Sequence, residues 1–171
     1  ISTQVGQQSA SQLWMGTFHS IFCRILRYEA DRIGFHSDFT IYDAADSKTL
    51  ITALIKEMGL DEKVYKPSHV CSQISRAKNA LVLPSQYSAS AQLRQADNAA
   101  RMPMIHEIYA RYYARCRMAN AMDFDDILLY TWQLLNEHPD VTERYVSRFR
   151  YVLVDEYQDT NYAQHCIVLQ L

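Results

Sequence analysis

Two acidic side chains near the end of this 171-residue chain have the type and position that phosphate chemistry requires. Asp155 and Glu156 directly follow the apolar run Tyr151–Val154, which predicts a central parallel strand. In an open parallel sheet, ligands bind just beyond the carboxyl ends of the strands. One carboxylate there can hold Mg²⁺ on the β- and γ-phosphates of a nucleotide, and a second can polarise the water that attacks the γ-phosphorus.

Gln158 stands two residues beyond this acidic pair, where it could report the state of the γ-phosphate to a neighbouring domain by hydrogen bonding. A structural alternative exists, because two acidic residues after an apolar strand are often a solvated turn or the cap of the following helix. For Asp155 and Glu156 alone, that alternative is at least as good as the catalytic interpretation.

The stretch Gly16–Ser20, Gly-Thr-Phe-His-Ser, has binding chemistry of a different kind. Amide groups at the start of a helix are free and attract an anion. Thr17 can cap that helix or contact a phosphate, and His19 can donate to a phosphate or stack on a base. The residues by themselves favour the structural alternative, a capping Thr17 with Phe18 and His19 half-buried.

The spacing of apolar residues indicates the elements that position these motifs. Gln12–Phe18 is apolar and bounded by polar residues, which predicts a short buried strand. From about His19 to Ile33 the apolar spacing is helical, and Gly34 is the natural stop. Phe39–Tyr42 is predicted to be a brief extended piece.

Helices are predicted through the middle of the chain and again near its end, where capping residues and prolines mark their limits. They are a helix capped by Asp43 or Asp46, one between Pro67 and Pro84, a mixture of helix and loop over Ser85–Arg101, one opened by Pro103, one capped by Asp123, one from Pro139 through Phe149, and a last amphipathic helix. Two strand-like pieces near the ends and a helical middle predict an α/β core, mostly helical, interrupted by a helical insertion.

Composition excludes several classes of protein. Lys plus Arg total 17 against 19 for Asp plus Glu, so the formal charge of -2 gives no global field that would attract nucleic acid. No apolar stretch approaches the roughly 20 residues needed to cross a bilayer, and a signal-peptide pattern is missing, which predicts a cytoplasmic protein with no membrane partner. The four cysteines form no Cys-x-x-Cys pair, so they are predicted to be reduced, with no structural metal.

Four segments taken together show a family resemblance. They are Gly16–Ser20, Ile74–Asn79 (Ile-Ser-Arg-Ala-Lys-Asn), Met122–Leu128 (Met-Asp-Phe-Asp-Asp-Ile-Leu) and Val154–Asn161 (Val-Asp-Glu-Tyr-Gln-Asp-Thr-Asn). In the expected order, they resemble four parts of the UvrD/Rep/PcrA-type superfamily 1 DNA helicases. Those parts are the motif that meets single-stranded DNA, part of the helical insertion, the segment that leads back into the motor, and the second helicase motif.

The resemblance implies a fold and an activity. The fold is a partial RecA-like (P-loop NTPase) parallel sheet formed by residues 1–42 and 113–171, interrupted by an α-helical insertion subdomain at residues 43–112. The activity is ATP-dependent 3′-to-5′ translocation on single-stranded DNA and unwinding of duplex DNA, in repair or replication. Mg²⁺ and ATP are the implied cofactors, and single-stranded DNA, fork DNA and repair or replication proteins are the implied partners.

Residue roles follow from the same resemblance. Asp155 would hold Mg²⁺, with Asp155 and Glu156 both at the nucleotide. Glu156 would act as the catalytic base, and Gln158 would couple nucleotide state to the grip on DNA. Thr17 and His19 would touch the DNA strand.

In the insertion, Arg76, Lys78 and Asn79 are expected on the polar face of a helix that can touch the duplex ahead of the fork. A solvated helix face is an equally good explanation of these three side chains. Asp123, Asp125 and Asp126 receive no catalytic role, because carboxylates in the first turn of a helix favour its dipole.

The phosphate-binding loop expected of such an ATPase is missing from the sequence. Its four glycines are Gly6, Gly16, Gly34 and Gly59, and none lies in a Gly-Lys-Ser or Gly-Lys-Thr sequence. In the family this loop precedes the Thr-Phe-His motif, and a second motor domain with an arginine finger follows the acidic motif. The chain is therefore expected to be truncated at both ends and to hydrolyse no ATP by itself.

Two other functions stay open at the level of sequence. The chain could be a stand-alone module that binds duplex DNA or a repair partner, with the acidic motif a relic. It could also be the motor part of a helicase-nuclease.

Overall fold

A computed structural model describes residues 13–171. Its helices are α1 (Phe18–Tyr28), α2 (Ala44–Glu57), α3 (Pro67–Asn79), α4 (Pro84–Ala89), α5 (Ala91–Ala99), α6 (Ile105–Met118), α7 (Phe124–Glu137), α8 (Pro139–Arg148) and α9 (Tyr162–Val168), and its strands are β1 (Thr40–Tyr42) and β2 (Ala121–Asp123). Short 3-10 turns cover Ala30–Ile33 and Tyr157–Asp159. The described chain is therefore α/β and mostly helical, as predicted.

The two strands pair in parallel, with Ile41 opposite Met122. Parallel strands require a crossover connection, and here α2 to α6 supply it. The predicted extended piece at residues 39–42 is confirmed as β1. The second strand, Ala-Met-Asp, was not predicted because it is three residues long and lacks the β-branched or aromatic residues typical of strands.

Each strand leads directly into a helix, and an aspartate forms both junctions. Asp43 caps α2 and Asp123 caps α7. In each helix the carboxylate of the capping aspartate accepts a hydrogen bond from the backbone amide three residues later, at 2.8 Å. That later residue, Asp46 or Asp126, in turn accepts from the backbone amide of the capping aspartate, at 3.1 Å. Since β1 and β2 are parallel, these capped helix starts lie at the same edge of the sheet.

Two hydrophobic cores are present in the described residues. The first joins α1, α7, α8 and α9 through Phe22, Leu26, Leu129 and Ile167, among others. The second lies between α2, α3, α4 and α6, and its buried members fall between Ile51 and Cys116. The separation of the cores agrees with a helical insertion, while its boundaries at residues 43 and 112 stay a prediction.

The first helix begins as predicted but ends early. Thr17 caps α1, and Gly34 closes the region with a left-handed φ of 74°. Between them, Glu29 leaves the helical conformation with φ at -111°. Its buried carboxylate accepts from Arg144 Nη1 at 2.6 Å and from the Tyr145 hydroxyl at 3.3 Å. Contacts with α8 therefore replace the last helical turn by a 3-10 turn.

The prediction of a central strand at Tyr151–Val154 is wrong for this structure. The segment has no regular secondary structure and pairs with no strand of the described residues, and Tyr151 and Leu153 are 88% and 95% exposed. Likewise residues 13–18, the described part of the strand predicted at residues 12–18, form no strand, and Phe18 already begins α1. Gln12 lies outside the described residues. An apolar run becomes a stable strand only where neighbouring strands complete its ladder and cover its faces.

The polar stretch Ser85–Arg101 forms helix almost throughout, rather than the predicted mixture of helix and loop. α4 and α5 meet at Ser90, whose hydroxyl caps α5 by accepting from the Leu93 amide. Inside this pair, the buried Tyr87 hydroxyl donates to Asp97 at 3.0 Å. This hydrogen bond joins α4 to α5, so that a segment with few apolar residues can pack.

Truncation of a buried leucine tests the first core. Leu129 is 0% exposed, whereas Leu169 is 71% exposed. We expect Leu129→Ala to lower the free energy of unfolding by about 2–5 kcal/mol, because lost burial and a residual cavity add. Leu169→Ala is the matched control and should change it by less than about 0.5 kcal/mol. Urea titration followed by circular dichroism measures both, and equal effects would contradict the assigned core.

Candidate functional site

The predicted catalytic carboxylates lie on an exposed loop between α8 and α9. Asp155, Glu156 and Gln158 are all exposed. The Asp155 carboxylate accepts from the Glu156 amide at 2.9 Å, and Glu156 has a left-handed φ of 49°. A non-glycine residue in that region is strained, and such strain is a feature of functional loops. The arrangement leaves the Glu156 carboxylate turned to solvent.

The segment after these carboxylates is held by local hydrogen bonds. The Thr160 hydroxyl donates to the Tyr157 carbonyl at 2.8 Å, and the Tyr157 hydroxyl is hydrogen-bonded to Nδ1 of His165 in α9. Asn161 then caps α9 by accepting from the Gln164 amide at 2.8 Å. The segment Asp155–Asn161, called the acidic loop below, is therefore held to α9 by these hydrogen bonds.

The acidic loop and the Thr-Phe-His motif line one open pocket of about 400 Å³. Thr17 and Asp155 are on its wall, together with Trp14, Leu153 and other apolar side chains. The structure thus brings together two motifs that are more than 130 residues apart in sequence.

Thr17 and His19 are both engaged at the start of helices. Thr17 Oγ1 accepts from the Ser20 amide at 3.3 Å, so the capping interpretation of Thr17 is confirmed. His19 Nε2 donates to the Phe124 carbonyl at 3.1 Å, and the two rings make an edge-to-face contact at 5.6 Å. The DNA contacts expected of Thr17 and His19 stay predictions.

The placement of Lys78 on a polar, solvated helix face is wrong. Its side chain is 0% exposed, and its Nζ atom lies 2.7 Å from both Asp123 Oδ2 and Asp126 Oδ1. Nζ also lies 4.8 Å from the centre of the Tyr112 ring. A buried ammonium must be paired or lose its charge, and here two carboxylates of the α7 capping box pair with it. Because it is buried, Lys78 offers no surface to duplex DNA.

Charge in this buried triad is unequally balanced, with one ammonium between two carboxylates. Burial alone would lower the pKa of Lys78, but Asp126 and Asp123 raise it well above its usual range. Burial alone would raise the pKa of Asp123, but the adjacent Lys78 holds it below its usual value. Burial and the neighbouring Asp123 raise the pKa of Asp126 to about 7, against the effect of Lys78. Asp126 is therefore the carboxylate of the triad that takes up a proton more readily, while Asp123 stays charged.

Tyr112 completes the polar shell of this triad. Its hydroxyl donates to Asp123 Oδ2 at 2.8 Å and lies 3.0 Å from Ser47 Oγ in α2. Burial, followed by the charge of Asp123, raises the pKa of Tyr112 above its usual range. Tyr112 therefore stays a neutral donor. Its hydroxyl connects Ser47 of α2 with Asp123 at the start of α7.

Asn79, next to Lys78, is also turned inward. Its Nδ2 atom donates to Asp125 Oδ1 at 2.8 Å and to the Ser75 carbonyl at 2.9 Å, and its Oδ1 atom accepts from Asn161 Nδ2 at 2.7 Å. Sequence reasoning missed this contact. Each residue belongs to a segment with the family resemblance, but their pairing across 82 positions has no sequence signal. Arg76 is exposed, as predicted for that face, and its DNA contact stays a prediction.

All four segments of the family resemblance meet at the start of α7. Residues 123–126 contact the insertion through Lys78 and Asn79, and the Thr-Phe-His motif through His19. Asn79 continues the connection to Asn161, which ends the acidic motif. The start of α7 therefore links residues predicted to bind nucleotide with residues predicted to bind DNA.

Within residues 13–171, no group of three or more His, Cys, Asp or Glu side chains has the arrangement of a metal site. All four cysteines are free, which agrees with the prediction of reduced thiols. In the same range, no helix combines the length and the apolar character that a membrane span needs.

Comparison with known proteins gives one family and several relatives. The model of the UvrD/REP helicase N-terminal domain matches residues 1–171. The chain is 43% identical over 173 residues to the ATP-dependent DNA helicase UvrD1 of Mycobacterium leprae, a match that covers 100% of this chain and 22% of that protein. It is 39% identical to the ATP-dependent DNA helicase PcrA of Bacillus subtilis, over 95% of this chain and 21% of that protein. The chain spans about a fifth of the length of the curated relatives it matches.

Removing the buried ammonium tests the triad. We expect Lys78→Met to lower the free energy of unfolding by about 3–5 kcal/mol, because two carboxylates would stay buried without a cation. The exposed Lys63 supplies the control: Lys63→Met should change it by less than about 0.5 kcal/mol. Chemical denaturation at pH 7 measures the difference. A similar, small effect of both substitutions would show that Lys78 is solvated.

The raised pKa of Asp126 predicts a pH dependence of stability. Its folded pKa, about 7, lies above the usual value of 3.8, so its stabilising contribution is complete below pH 3.8 and is lost as pH rises through 7. The pKa of Asp123 is lowered, so the titration of Asp123 changes the free energy of unfolding only below about pH 3.8. Asp123 therefore does not contribute between pH 4 and pH 7. We expect the free energy of unfolding to fall from pH 4 to 7 in the native chain and in Asp31→Asn, an exposed control, but less steeply in Asp126→Asn. Parallel slopes in all three proteins would rule out this titration.

Proposed function

Because the chain belongs to the UvrD/REP helicase N-terminal domain family, we propose that it is part of a motor that couples ATP hydrolysis to movement along DNA. The proposed reaction drives 3′-to-5′ translocation on single-stranded DNA and separation of duplex DNA, in repair or replication. The observation that carries the proposal is the convergence of four motif segments on the start of α7. A motor needs such a connection, since hydrolysis at one place must change the grip on DNA at another.

A partial RecA-like sheet is the fold that suits this function. We propose that residues 1–42 and 113–171 belong to it and that residues 43–112 form the helical insertion. The parallel pairing of β1 with β2 supports the sheet, and the separate hydrophobic core between Ile51 and Cys116 supports the insertion.

Mg²⁺ fits the oxygen ligands that the acidic loop supplies. Mg²⁺ prefers one or two carboxylates together with phosphate oxygens and water, rather than a cage built only of protein. Asp155 and Glu156 are adjacent and exposed, and the described residues hold no preformed metal cluster that would compete. Asp155 would hold the ion, which neutralises charge on the β- and γ-phosphates when it is bound with ATP.

Glu156 and Gln158 have roles on either side of the γ-phosphate. Glu156 would accept the proton of the attacking water as catalytic base, and its exposed carboxylate is free to do so. Gln158 would hydrogen-bond according to whether the γ-phosphate is present. The loop that holds them is fixed to α9 by Asn161, so that a shift of Gln158 is passed to a helix.

DNA contacts would come from Thr17, His19 and Arg76. His19 Nε2 already donates to the Phe124 carbonyl, so a phosphate or base would meet the other ring nitrogen or the ring face. Arg76 is exposed on α3 and would contact the duplex through phosphates, which makes the contact independent of sequence and weakened by salt. Lys78 is left out of this set because it is buried.

Substitution of the proposed base tests the function. In the full-length motor that contains this chain, Glu156→Gln should lower kcat for ATP about 100-fold or more, because an amide cannot accept the proton. Single-stranded DNA binding should persist. Glu143→Gln, an exposed glutamate of α8, is the control and should keep normal turnover. A phosphate-release assay measures kcat, and unchanged turnover in Glu156→Gln would refute the assignment.

The 171-residue chain alone should show no turnover, because no Gly-Lys-Ser or Gly-Lys-Thr sequence occurs in it.

A further inference from the structure

The amide of Asn79 joins three elements through side-chain hydrogen bonds. Its oxygen accepts a hydrogen bond from Asn161 Nδ2, and its nitrogen donates to Asp125 and to the Ser75 carbonyl. Both amide hydrogens and one lone pair of the oxygen are therefore used within the protein. Asn161 ends the acidic motif and Asp125 lies in the first turn of α7. The Asn161–Asn79–Asp125 chain is named the amide relay below.

The direction of every bond in the amide relay is fixed. Asp125 as a carboxylate only accepts, so Asn79 must present its nitrogen to it and its oxygen to Asn161. Asn161 Oδ1 is already occupied by the Gln164 amide as the α9 cap, which leaves Nδ2 for Asn79. Turning over the Asn79 amide would lose three hydrogen bonds, and turning over the Asn161 amide would lose two. The orientation of both amides is therefore fixed.

The two residues of the Asn161–Asn79 hydrogen bond differ in how firmly they are held. Asn79 directly follows Lys78, whose ammonium is clamped between Asp123 and Asp126 of α7. This clamp fixes the C-terminal end of α3 to the start of α7. Asn161, by contrast, follows an exposed loop whose own bonds are local. A change in the acidic loop would therefore act at the Asn161–Asn79 bond.

Beyond Asp125, the start of α7 reaches the Thr-Phe-His motif. The carbonyl of Phe124, one residue before Asp125, accepts from His19. Three side-chain hydrogen bonds and one peptide link of α7 thus separate Asn161, in the acidic motif, from His19, a residue proposed to contact DNA.

We propose that Asn79 is a positioning residue that couples the acidic loop at Asp155–Asn161 to the DNA-contacting turn at His19 and Phe124. It touches neither nucleotide nor DNA, and it acts by holding Asn161 against the start of α7. The inference rests on the proposed function, and it adds the connection through which DNA stimulates ATP turnover.

Two substitutions remove the Asn161–Asn79 bond from opposite sides. Asn79→Ala deletes the bridging amide. Asn161→Ser removes the donor but keeps an oxygen that can cap α9, so the helix start is preserved. In the full-length motor, the ratio of ATP turnover with saturating single-stranded DNA to turnover without DNA should fall about fivefold or more in each variant. The double variant should fall no further than either single one, since all three lack the same bond.

Controls separate coupling from folding. Asn98→Ala, at an exposed asparagine of α5, should keep the native ratio. The combined Asn79→Asp and Asp125→Asn exchange reverses the donor and acceptor at that bond while still offering an acceptor to Asn161, and it should restore part of the ratio. In a purely structural role, the loss and the rescue of the ratio would follow the change in the thermal unfolding midpoint, whereas coupling changes the ratio in variants with the native midpoint. Thermal unfolding of each variant confirms that the proteins compared are folded.

The outcomes distinguish the inference from the function beneath it. A full DNA response in Asn79→Ala or Asn161→Ser, or losses that add in the double variant, would overturn the inference and leave the motor assignment standing. Absence of DNA-stimulated turnover in the unsubstituted full-length protein would overturn both.

Discussion

One buried positive charge constrains the arrangement of this structure. Lys78 is enclosed, and an unpaired ammonium in such a place would cost several kcal/mol. The charge is tolerable only if Asp123 and Asp126 stay beside it, and both are already fixed by capping α7. The insertion helix α3 can therefore end in only one position relative to α7. The triad contributes less as a source of stability than as a means of setting a unique register between the two cores.

That register has consequences for the neighbouring motifs. With α3 fixed on α7, Asn79 faces Asp125 and is in reach of Asn161. His19 uses the carbonyl of the same helical turn. Side chains from distant parts of the sequence thus share one short reference segment, residues 123–126. Because residues 123–126 are fixed, a small movement of the exposed loop can change the contacts that other elements make with this segment.

Local features could be predicted from the sequence, and features that depend on distant partners could not. Helix starts at Thr17, Asp43 and Asp123 depend on a few adjacent residues, and all three are confirmed. Gly34 ends a 3-10 turn and not the helix that it was predicted to stop. A helical pattern assigned Lys78 to the polar face because lysine is rarely buried, and only partners 45 and 48 residues away reverse that expectation. The strand predicted at residues 151–154 failed for the same reason, since an apolar run forms a strand only where other strands pair with it, and none does so in the described structure.

Exposure divides the candidate site into two kinds of residue. Asp155, Glu156 and Gln158 are exposed, as groups that must meet a nucleotide have to be, and their types alone suggest their chemistry. Asn79 and Lys78 carry no such suggestion, because an amide or an ammonium on a helix suits solvent equally well. Lys78 is identified by its burial, and Asn79, which is partly buried, by its hydrogen bonds to Asp125 and Asn161. A polar side chain away from solvent is stable only if its partners are in place, so the fold must maintain both sets of contacts. In this chain the maintained geometry lies between the acidic loop and the Thr-Phe-His motif, which is where the proposed motor would need it.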